Sequence, residues 1–238
     1  MSTRTFVLVH GAWHGGWCWR EVRGVLEAAG HRVFTPTQTG LGERSHLMSR
    51  DITLQTFTDD IANVLIFEDL HDVVLVGHSF GGLAISGVAD RMPERLRCLI
   101  YLDSMLVDGG QSPFDTLAPE VVEGRIKAAA EASNGLSLPP SSYKSLGVFA
   151  PEHIAKLEGR LTPHPLSTYS SKLNLNHPLG NGVARTYITC TDPVYAPLDA
   201  SRRKARHLGW PMVELATGHD AMITAPKETA DLFMRIAG

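Results

Sequence analysis

The sequence predicts an α/β fold in which a mostly parallel sheet is covered by helices on both faces. Short apolar runs alternate along the chain with segments of helical periodicity, and this alternation is typical of parallel sheets. The chain has 238 residues, 43% of them hydrophobic, which suits one sizeable core. The apolar runs predict six strands, at 5–10, 32–35, 73–76, 98–102, 186–190 and 212–215.

Helical segments lie between most of these strands. The spacing of apolar residues predicts helices over about 16–29, 54–65, 79–91 and 226–236. Asp51 or Thr53 is available to cap the second of these helices, and Pro93 ends the third because the residue before a proline disfavours helical backbone.

A long insertion separates the fourth predicted strand from the fifth. It carries eight prolines among short amphipathic pieces. Because a structureless loop of this length is rare in a compact domain, we expect a small helical cap over one end of the sheet. The expected division is a core at 1–106 and 183–238 and a cap at 107–182.

The net charge, the cysteines and the apolar runs indicate which kinds of molecule the protein should bind and in which cellular compartment it should act. The net charge is −3, from 22 basic and 25 acidic residues, so no overall field attracts nucleic acid or an anionic membrane. Three cysteines, Cys18, Cys98 and Cys190, have neither metal-ligand spacing nor the density of a disulfide scaffold. The stretch from Met1 to Arg4 lacks signal-peptide features, and no apolar run has the length of a membrane span. We expect a cytoplasmic protein that acts on small molecules, without nucleic-acid or membrane partners.

The strongest local motif is GHSFG at 77–81, between an apolar strand and a predicted helix. In a G-x-S-x-G elbow the serine takes a strained conformation, and the two glycines let strand and helix approach so that the hydroxyl projects above the sheet. Ser79 is therefore the candidate nucleophile. The alternative is a glycine-rich turn without chemistry.

A serine nucleophile needs a base, and His219 is the candidate. Of the 11 histidines, His219 occupies the loop between the last strand and the last helix, where this arrangement places the base. His31, His71, His153 and His207 lie near helix ends or on polar stretches instead.

The third member is a carboxylate that orients the histidine. Asp192 directly follows the fifth predicted strand and is favoured. Asp103, at the end of the fourth strand, is the rival because both strand ends open on the same face, and Asp199 comes third. Each of these aspartates is equally compatible with a turn or a helix cap.

Two backbone amides should hold the oxyanion of the tetrahedral intermediate. Phe80 follows the nucleophile and supplies one, and Ala12, in the HGAWHGG loop after the first strand, is the best candidate for the other. Neither glycine-rich turn has a phosphate-binding or dinucleotide-binding layout. The proposed chemistry requires neither metal nor cofactor.

The chain resembles a group of small α/β-hydrolases that includes plant methyl esterases, plant hydroxynitrile lyases and bacterial esterases acting on pyrethroid or carbamate compounds. The segments that carry the resemblance are FVLVHGAWHGGWCW, TGLGERSH, VVLVGHSFGG, RTYITCTD and ATGHDAM. It implies an α/β-hydrolase fold with a six-stranded sheet of order 2-1-3-4-5-6 and a cap between strands 4 and 5. It also implies the triad Ser79, His219 and Asp192, the oxyanion donors Ala12 and Phe80, and a monomer or homodimer.

Two departures from the group matter. The plant enzymes carry the catalytic aspartate one position later, where this chain has Pro193, which keeps Asp103 in contention. The lyases have a threonine at the position of Gly11 and a lysine at that of Asp220. These groups bind the cyanohydrin and the departing cyanide, so a glycine and an anionic aspartate favour hydrolysis.

The sequence thus predicts a serine-dependent carboxylic ester hydrolase that acts on small apolar or aromatic esters through an acyl-enzyme. The alternatives are a hydroxynitrile lyase-type carbon–carbon lyase and a non-catalytic ligand-binding member of the fold. Residues of the first loop and the cap that could line an apolar pocket are Trp13, His14, Phe114, Tyr143, Phe149 and Tyr169.

Overall fold

A six-stranded parallel sheet forms the centre of the molecule. In the computed structural model, which describes residues 3–238, the strands in chain order are β1 (Thr5–Val9), β2 (Arg32–Phe34), β3 (Val73–His78), β4 (Leu96–Leu102), β5 (Ser137–Leu138), β6 (His164–Pro165), β7 (Arg185–Cys190) and β8 (Met212–Leu215). The sheet has the order β2-β1-β3-β4-β7-β8, and β5 pairs with β6 in a separate antiparallel ladder. Counted within the main sheet the order is 2-1-3-4-5-6, so the predicted fold class is confirmed. Met1 and Ser2, part of the N-terminal stretch considered above, lie outside the described residues.

Helices follow most of the strands of the sheet. They are α1 (Arg20–Ala28), α2 (Leu54–Phe67), α3 (Gly81–Arg91), α4 (Pro119–Ser133), α5 (Pro151–Leu157), α6 (Ser167–Ser170), α7 (Asp199–His207), α8 (Ala221–Thr224) and α9 (Pro226–Ala237). Thr53 caps α2 through a reciprocal pair of hydrogen bonds with Thr56, as the sequence allowed. Within the part of the chain that the structure describes, no helix is long and apolar enough to cross a membrane.

The core lies on both faces of the sheet, because a parallel sheet buries both sets of side chains. All six residues of β3 are buried. The helix α1 packs against α9, and α2 packs against α3. The two glycine-rich turns predicted to carry chemistry therefore emerge from buried strands at the same end of the sheet.

The segment between β4 and β7 contains α4, α5, α6 and the β5–β6 ladder. It contacts the loops at the carboxyl end of the sheet at two points. The Thr162 amide donates to the Trp13 carbonyl oxygen (2.9 Å), and the Asp220 amide donates to the Leu146 carbonyl oxygen (3.2 Å). The division into a core and a cap at 107–182 remains a prediction, and these contacts place the segment beside the candidate site.

Candidate active site

Ser79 occupies a sharp turn between β3 and α3. Its φ is 52°, in the left-handed region, and a Cβ atom added to Gly81 would lie 2.6 Å from the carbonyl oxygen of His10. The glycine thus lets α3 approach the end of β1. Ser79 is half-buried while His78 and Phe80 on either side are buried, so Ser79 is the most exposed of the three.

His219 lies against the serine hydroxyl. Its Nε2 atom is 2.9 Å from the Oγ of Ser79, and its Nδ1 atom is 2.7 Å from Oδ2 of Asp103. Since a carboxylate accepts hydrogen bonds, Nδ1 carries the proton and Nε2 accepts from Ser79. The ring of Tyr195 stacks on the imidazole, with centroids 4.1 Å apart. The structure thus brings Ser79 and His219 into the geometry expected of a nucleophile and its base.

The carboxylate beside His219 is Asp103, and the preference for Asp192 is corrected here. Asp103 is fully buried directly after β4. Asp192 is exposed, and its amide donates to the carbonyl oxygen of Thr217 (3.0 Å). That bond continues the β7–β8 pairing beyond Cys190 and Leu215, and the Asp192 side chain lies in solvent. Asp199, the third candidate, is also exposed and pairs with Arg202.

A buried arginine completes the surroundings of Asp103. Arg202 of α7 donates to Oδ1 of Asp103 (3.0 Å) and to the carbonyl oxygen of Tyr195 (2.7 Å). The two carboxylate oxygens of Asp103 therefore have different partners, one cationic and one the imidazole N–H. Charge-assisted hydrogen bonds of this kind compensate for the burial of the carboxylate.

The two predicted oxyanion amides lie on either side of the serine. Phe80 follows it directly, and a Cβ atom on Gly11 would lie 2.7 Å from the Cβ of Ser79, so the loop that carries Ala12 packs against the nucleophile. Within residues 3–238, neither the Ala12 nor the Phe80 amide donates to a protein acceptor. Both donors are therefore free for a ligand oxygen, although their role in an oxyanion hole stays a prediction.

Comparisons with known proteins agree with this architecture. A family model described as an alpha/beta hydrolase family matches residues 6–232. The chain belongs to the alpha/beta hydrolase family. A carbendazim hydrolyzing esterase of Nocardioides sp. (strain SG-4G) is 40% identical, with 95% of this chain and 96% of that protein covered. Methylesterase 1 of Arabidopsis thaliana is 29% identical, with 98% and 95% covered.

Solved structures show the same fold. An extracellular alpha/beta-hydrolase from a Paenibacillus species, described as sharing structural and functional homology with tobacco salicylic acid binding protein 2, superposes with a TM-score of 0.85. It is 24% identical, and the match covers 98% of each chain. The family match and the sequence relatives confirm the predicted resemblance to small esterases of this family, and the solved structure agrees with them in fold.

Directly behind the base, this alpha/beta hydrolase carries a buried ion pair. His14 donates from Nε2 to Oδ2 of Asp220 (3.1 Å) and from Nδ1 to the carbonyl oxygen of Ala12 (2.8 Å). Burial alone would lower the pKa of His14, but the charge and hydrogen bond of Asp220 outweigh it and raise that pKa. Likewise burial would raise the pKa of Asp220, and the neighbouring His14 lowers it instead. With both nitrogens occupied and 1% of the residue exposed, His14 supports the loop around Ala12, and the structure does not support its predicted contact with substrate.

His78 lies between the His14–Asp220 ion pair and His219. Its Nε2 donates to the carbonyl oxygen of His219 (2.9 Å), while its Nδ1 has no partner within the described chain. Burial, followed by the proximity of His219, holds the pKa of His78 well below its usual value. Ligand atoms of His78, His219 and Asp220 lie within 4.8 Å of one another, but both ring nitrogens of His219 are already bound to Ser79 and Asp103. We therefore assign this group to the support of the base.

The aromatic pocket candidates separate into two groups. Tyr169 is buried with its ring 4.7 Å from that of Phe80 and 5.5 Å from that of Phe114, so these rings form an aromatic wall next to the elbow. Trp13 is buried near the same wall, with its ring 6.5 Å from that of His164.

The other two candidates lie elsewhere. Phe149 is 55% exposed, so the structure does not support its predicted position in a pocket. Tyr143 is half-buried against the core, and no aromatic contact joins it to the wall.

Sequence reasoning missed three residues near the site: Arg202, Tyr195 and Arg125. Arg202 lies on α7, whose sequence DASRRKARH is dominated by polar residues, so no apolar period marks the helix. A signal was nevertheless present at its partner, because Asp103 interrupts the apolar run IYLDSMLV, and a carboxylate in such a run requires a buried donor.

Proposed function

We propose that this chain is a serine-dependent carboxylic ester hydrolase that works through an acyl-enzyme. The observation that carries the proposal is the hydrogen-bonded series Ser79, His219 and Asp103, in which the serine is half-buried and the base and acid are buried. The names of the relatives, a carbendazim hydrolyzing esterase and several methylesterases, support the same class of reaction.

The geometry suits a two-step transfer. In acylation, Nε2 of His219 takes the hydroxyl proton as the Ser79 oxygen attacks the ester carbonyl carbon. The carbonyl oxygen becomes an oxyanion and accepts from the Ala12 and Phe80 amides. The intermediate then expels the alcohol, which leaves with the proton from His219, and the acyl group remains on Ser79.

Deacylation repeats the sequence with water. His219 takes a proton from the water as its oxygen attacks the acyl carbon, and the proton passes to the Ser79 oxygen when the acid is released. Through both steps Asp103 accepts from Nδ1 of His219, which holds the required tautomer and stabilises the imidazolium. No step in this proposal requires a cofactor.

The neighbouring side chains favour an apolar or aromatic ester. The rings of Phe80, Phe114 and Tyr169 form a wall beside the elbow, and Tyr195 covers one face of His219. Aromatic walls with few polar groups bind apolar ligand surface.

The carbon–carbon lyase alternative is less compatible with the site. The residue after the base is Asp220, which is anionic, fully buried and paired with His14. A carboxylate at this position repels a departing cyanide anion rather than stabilising it. We therefore expect no cleavage of mandelonitrile.

The test of the proposal is labelling and turnover at Ser79. The wild-type protein should hydrolyse p-nitrophenyl acetate and react with one equivalent of a fluorophosphonate. Ser79→Ala should abolish both while its circular dichroism and melting temperature stay near wild type. Undiminished turnover by Ser79→Ala would exclude the serine mechanism, and absence of labelling in the wild type would favour the ligand-binding alternative.

We further propose a cytoplasmic location and a monomer or homodimer. The three cysteines are free and buried in the structure, which suits a reducing compartment. The Paenibacillus structural relative is described as extracellular, so fractionation of the native host is the deciding measurement for location. Light scattering on the purified protein would determine the oligomeric state.

A further inference from the structure

A guanidinium without an ionic partner lies beside the aromatic wall. Arg125 projects from α4, and its Cζ atom lies 4.6 Å from the centre of the Tyr169 ring. Its Nη1 atom is buried and has no hydrogen-bond partner, and no carboxylate within the described residues comes within 4.0 Å of its side chain. Stacking on the Tyr169 ring and a hydrogen bond to its hydroxyl stabilise the cation in part, but the N–H donors of Nη1 stay unsatisfied.

Arg125 lies close to the nucleophile through one intervening ring. Tyr169, on which it stacks, contacts the ring of Phe80, and the Phe80 amide is one of the two free donors beside Ser79. The charge also reaches His164: burial, then the proximity of His10 and of the Arg125 cation, holds the pKa of His164 well below its usual value. The guanidinium therefore lies at the aromatic wall whose Phe80 directly follows Ser79 in the chain.

Within residues 3–238, the other lysine and arginine side chains that are withdrawn from solvent have acceptors. Arg202 donates to Asp103, to Asp199 and to the Tyr195 carbonyl oxygen. Lys156 of α5 pairs with Glu21 at 2.6 Å. A buried donor on a charged group is costly when it has no acceptor, so the unpaired Nη1 of Arg125 is best explained by an acceptor that arrives with the ligand.

We propose that Arg125 binds a carboxylate group carried by the ester substrate, at a position remote from the scissile carbonyl. The inference rests on the proposed ester hydrolase function and extends it to a substrate class: half-esters of dicarboxylic acids. A planar guanidinium presents paired N–H donors that match the two oxygens of a carboxylate. The aromatic wall then contacts the spacer between the two carboxyl groups.

The experiment compares half-esters with neutral diesters. The monomethyl esters of glutaric, adipic and terephthalic acid supply three spacers, and each dimethyl ester is the neutral counterpart. The measured quantity is the ratio of kcat/KM for the half-ester to kcat/KM for the diester. Arg125→Met should lower this ratio about 10- to 100-fold for at least one spacer, the range expected for hydrogen bonds to a charged group. Arg125→Lys keeps the charge without the paired donors, so its ratio should lie between those of the wild type and Arg125→Met.

A matched control lies on the same helix. Lys127 is exposed and pairs with Glu131 one turn along, so Lys127→Met removes a positive charge from α4 away from the wall and should leave the ratio unchanged. An unchanged ratio in Arg125→Met for all three spacers, with ester hydrolysis retained, overturns the inference and leaves the proposed function intact. Failure of the wild type to hydrolyse any ester, with no labelling of Ser79, contradicts the proposed function instead.

A second measurement needs no variant and covers the case in which Arg125→Met does not fold. Terephthalate and its neutral diamide are tested as competitive inhibitors of p-nitrophenyl acetate hydrolysis by the wild-type protein. The dianion should inhibit at least about 10-fold more tightly than the diamide, since only the dianion forms a charge-assisted pair with the guanidinium. Equal inhibition by the two compounds overturns the inference.

Discussion

Arg202 and His219 bind opposite oxygens of the same buried carboxylate. The guanidinium lies 3.0 Å from Oδ1 of Asp103, and the imidazole Nδ1 lies 2.7 Å from Oδ2. Arg202 also donates to the carbonyl oxygen of Tyr195, whose ring stacks on the imidazole. One arginine thus fixes both the carboxylate that orients the base and the ring that covers it.

Replacing Arg202 with methionine should lower the free energy of unfolding by about 3–5 kcal/mol, because Asp103 would then be a buried charge without its cation. It should also lower kcat, since the carboxylate that orients His219 loses its second anchor. Urea unfolding and turnover measure the two effects. Asp199→Asn is the matched control, because it removes the exposed carboxylate that pairs with Arg202. It should lower the free energy of unfolding by about 1 kcal/mol or less. A similarly small cost for Arg202→Met would show that Asp103 does not need the arginine.

Asp103→Asn should lower kcat by about 10³- to 10⁴-fold while Asp192→Asn stays within a few-fold of wild type. The asparagine amide can face Nδ1 of His219 with its NH₂ group and so stabilise the tautomer that cannot accept the Ser79 proton. Asp192 is exposed, so its amide variant changes only the loop surface. Burst kinetics on p-nitrophenyl acetate report acylation directly. A loss confined to Asp192→Asn would restore the expectation favoured by the sequence.

Acid should destabilise the fold as the pH falls below about 6.5. Burial lowers the pKa of His10 to about 3 and holds the pKa values of His78 and His164 well below 6.5. Their stabilising contribution is therefore present above 6.5 and lost as the pH falls, because the unfolded chain binds protons that the folded chain does not. Each of these histidines changes the free energy of unfolding by up to about 1.4 kcal/mol per pH unit.

The buried ion pair of His14 and Asp220 opposes part of this loss of stability. His14 has a raised pKa, so its contribution is fully present below 6.5 and is lost as the pH rises. Asp220 has a lowered pKa, and its contribution is lost only below its unfolded value of 3.8. Four histidines with lowered pKa values, His31 among them, against one with a raised value predict that unfolding in urea is about 2–4 kcal/mol easier at pH 5.5 than at pH 7.5.

A variant checks the source of that acid sensitivity. His164→Phe should reduce the difference between the two pH values by about 1.4 kcal/mol, since it removes one neutral buried imidazole. His207→Gln, at an exposed position on α7, is the matched control. No change in the pH dependence of His164→Phe would mean that this imidazole binds a proton as readily in the folded protein as in the unfolded chain.

The sequence predicted the sheet, the nucleophile and the base because each depends on local signals. The six apolar runs lie within two residues of the observed strands, and GHSFG and the position of His219 are readable without knowledge of packing. The acid depends on a relation that the sequence does not contain. Asp103 and Asp192 both follow strands, but packing buries the first beside His219 and leaves the second exposed, with its amide bound to Thr217. The position of Arg125 could not be predicted from the sequence either, because its contact with Tyr169 joins residues 44 positions apart.

Because α3 lies close to the end of β1, alanine should not be tolerated at Gly81. At Gly24, which has open space around it, alanine should be tolerated. A Cβ atom on Gly81 would lie 2.6 Å from the carbonyl oxygen of His10, which belongs to backbone and cannot move independently of β1. Gly81→Ala should therefore cost about 1–3 kcal/mol of unfolding free energy, and it should reduce turnover further by shifting Ser79 relative to the Ala12 amide. Gly24 lies exposed inside α1 with no atom within 4 Å of such a Cβ, so Gly24→Ala should stabilise the protein by about 0.5–1 kcal/mol. Equal effects of the two substitutions, measured by urea unfolding, would show that helix propensity and not the contact with β1 sets the need for glycine in the elbow.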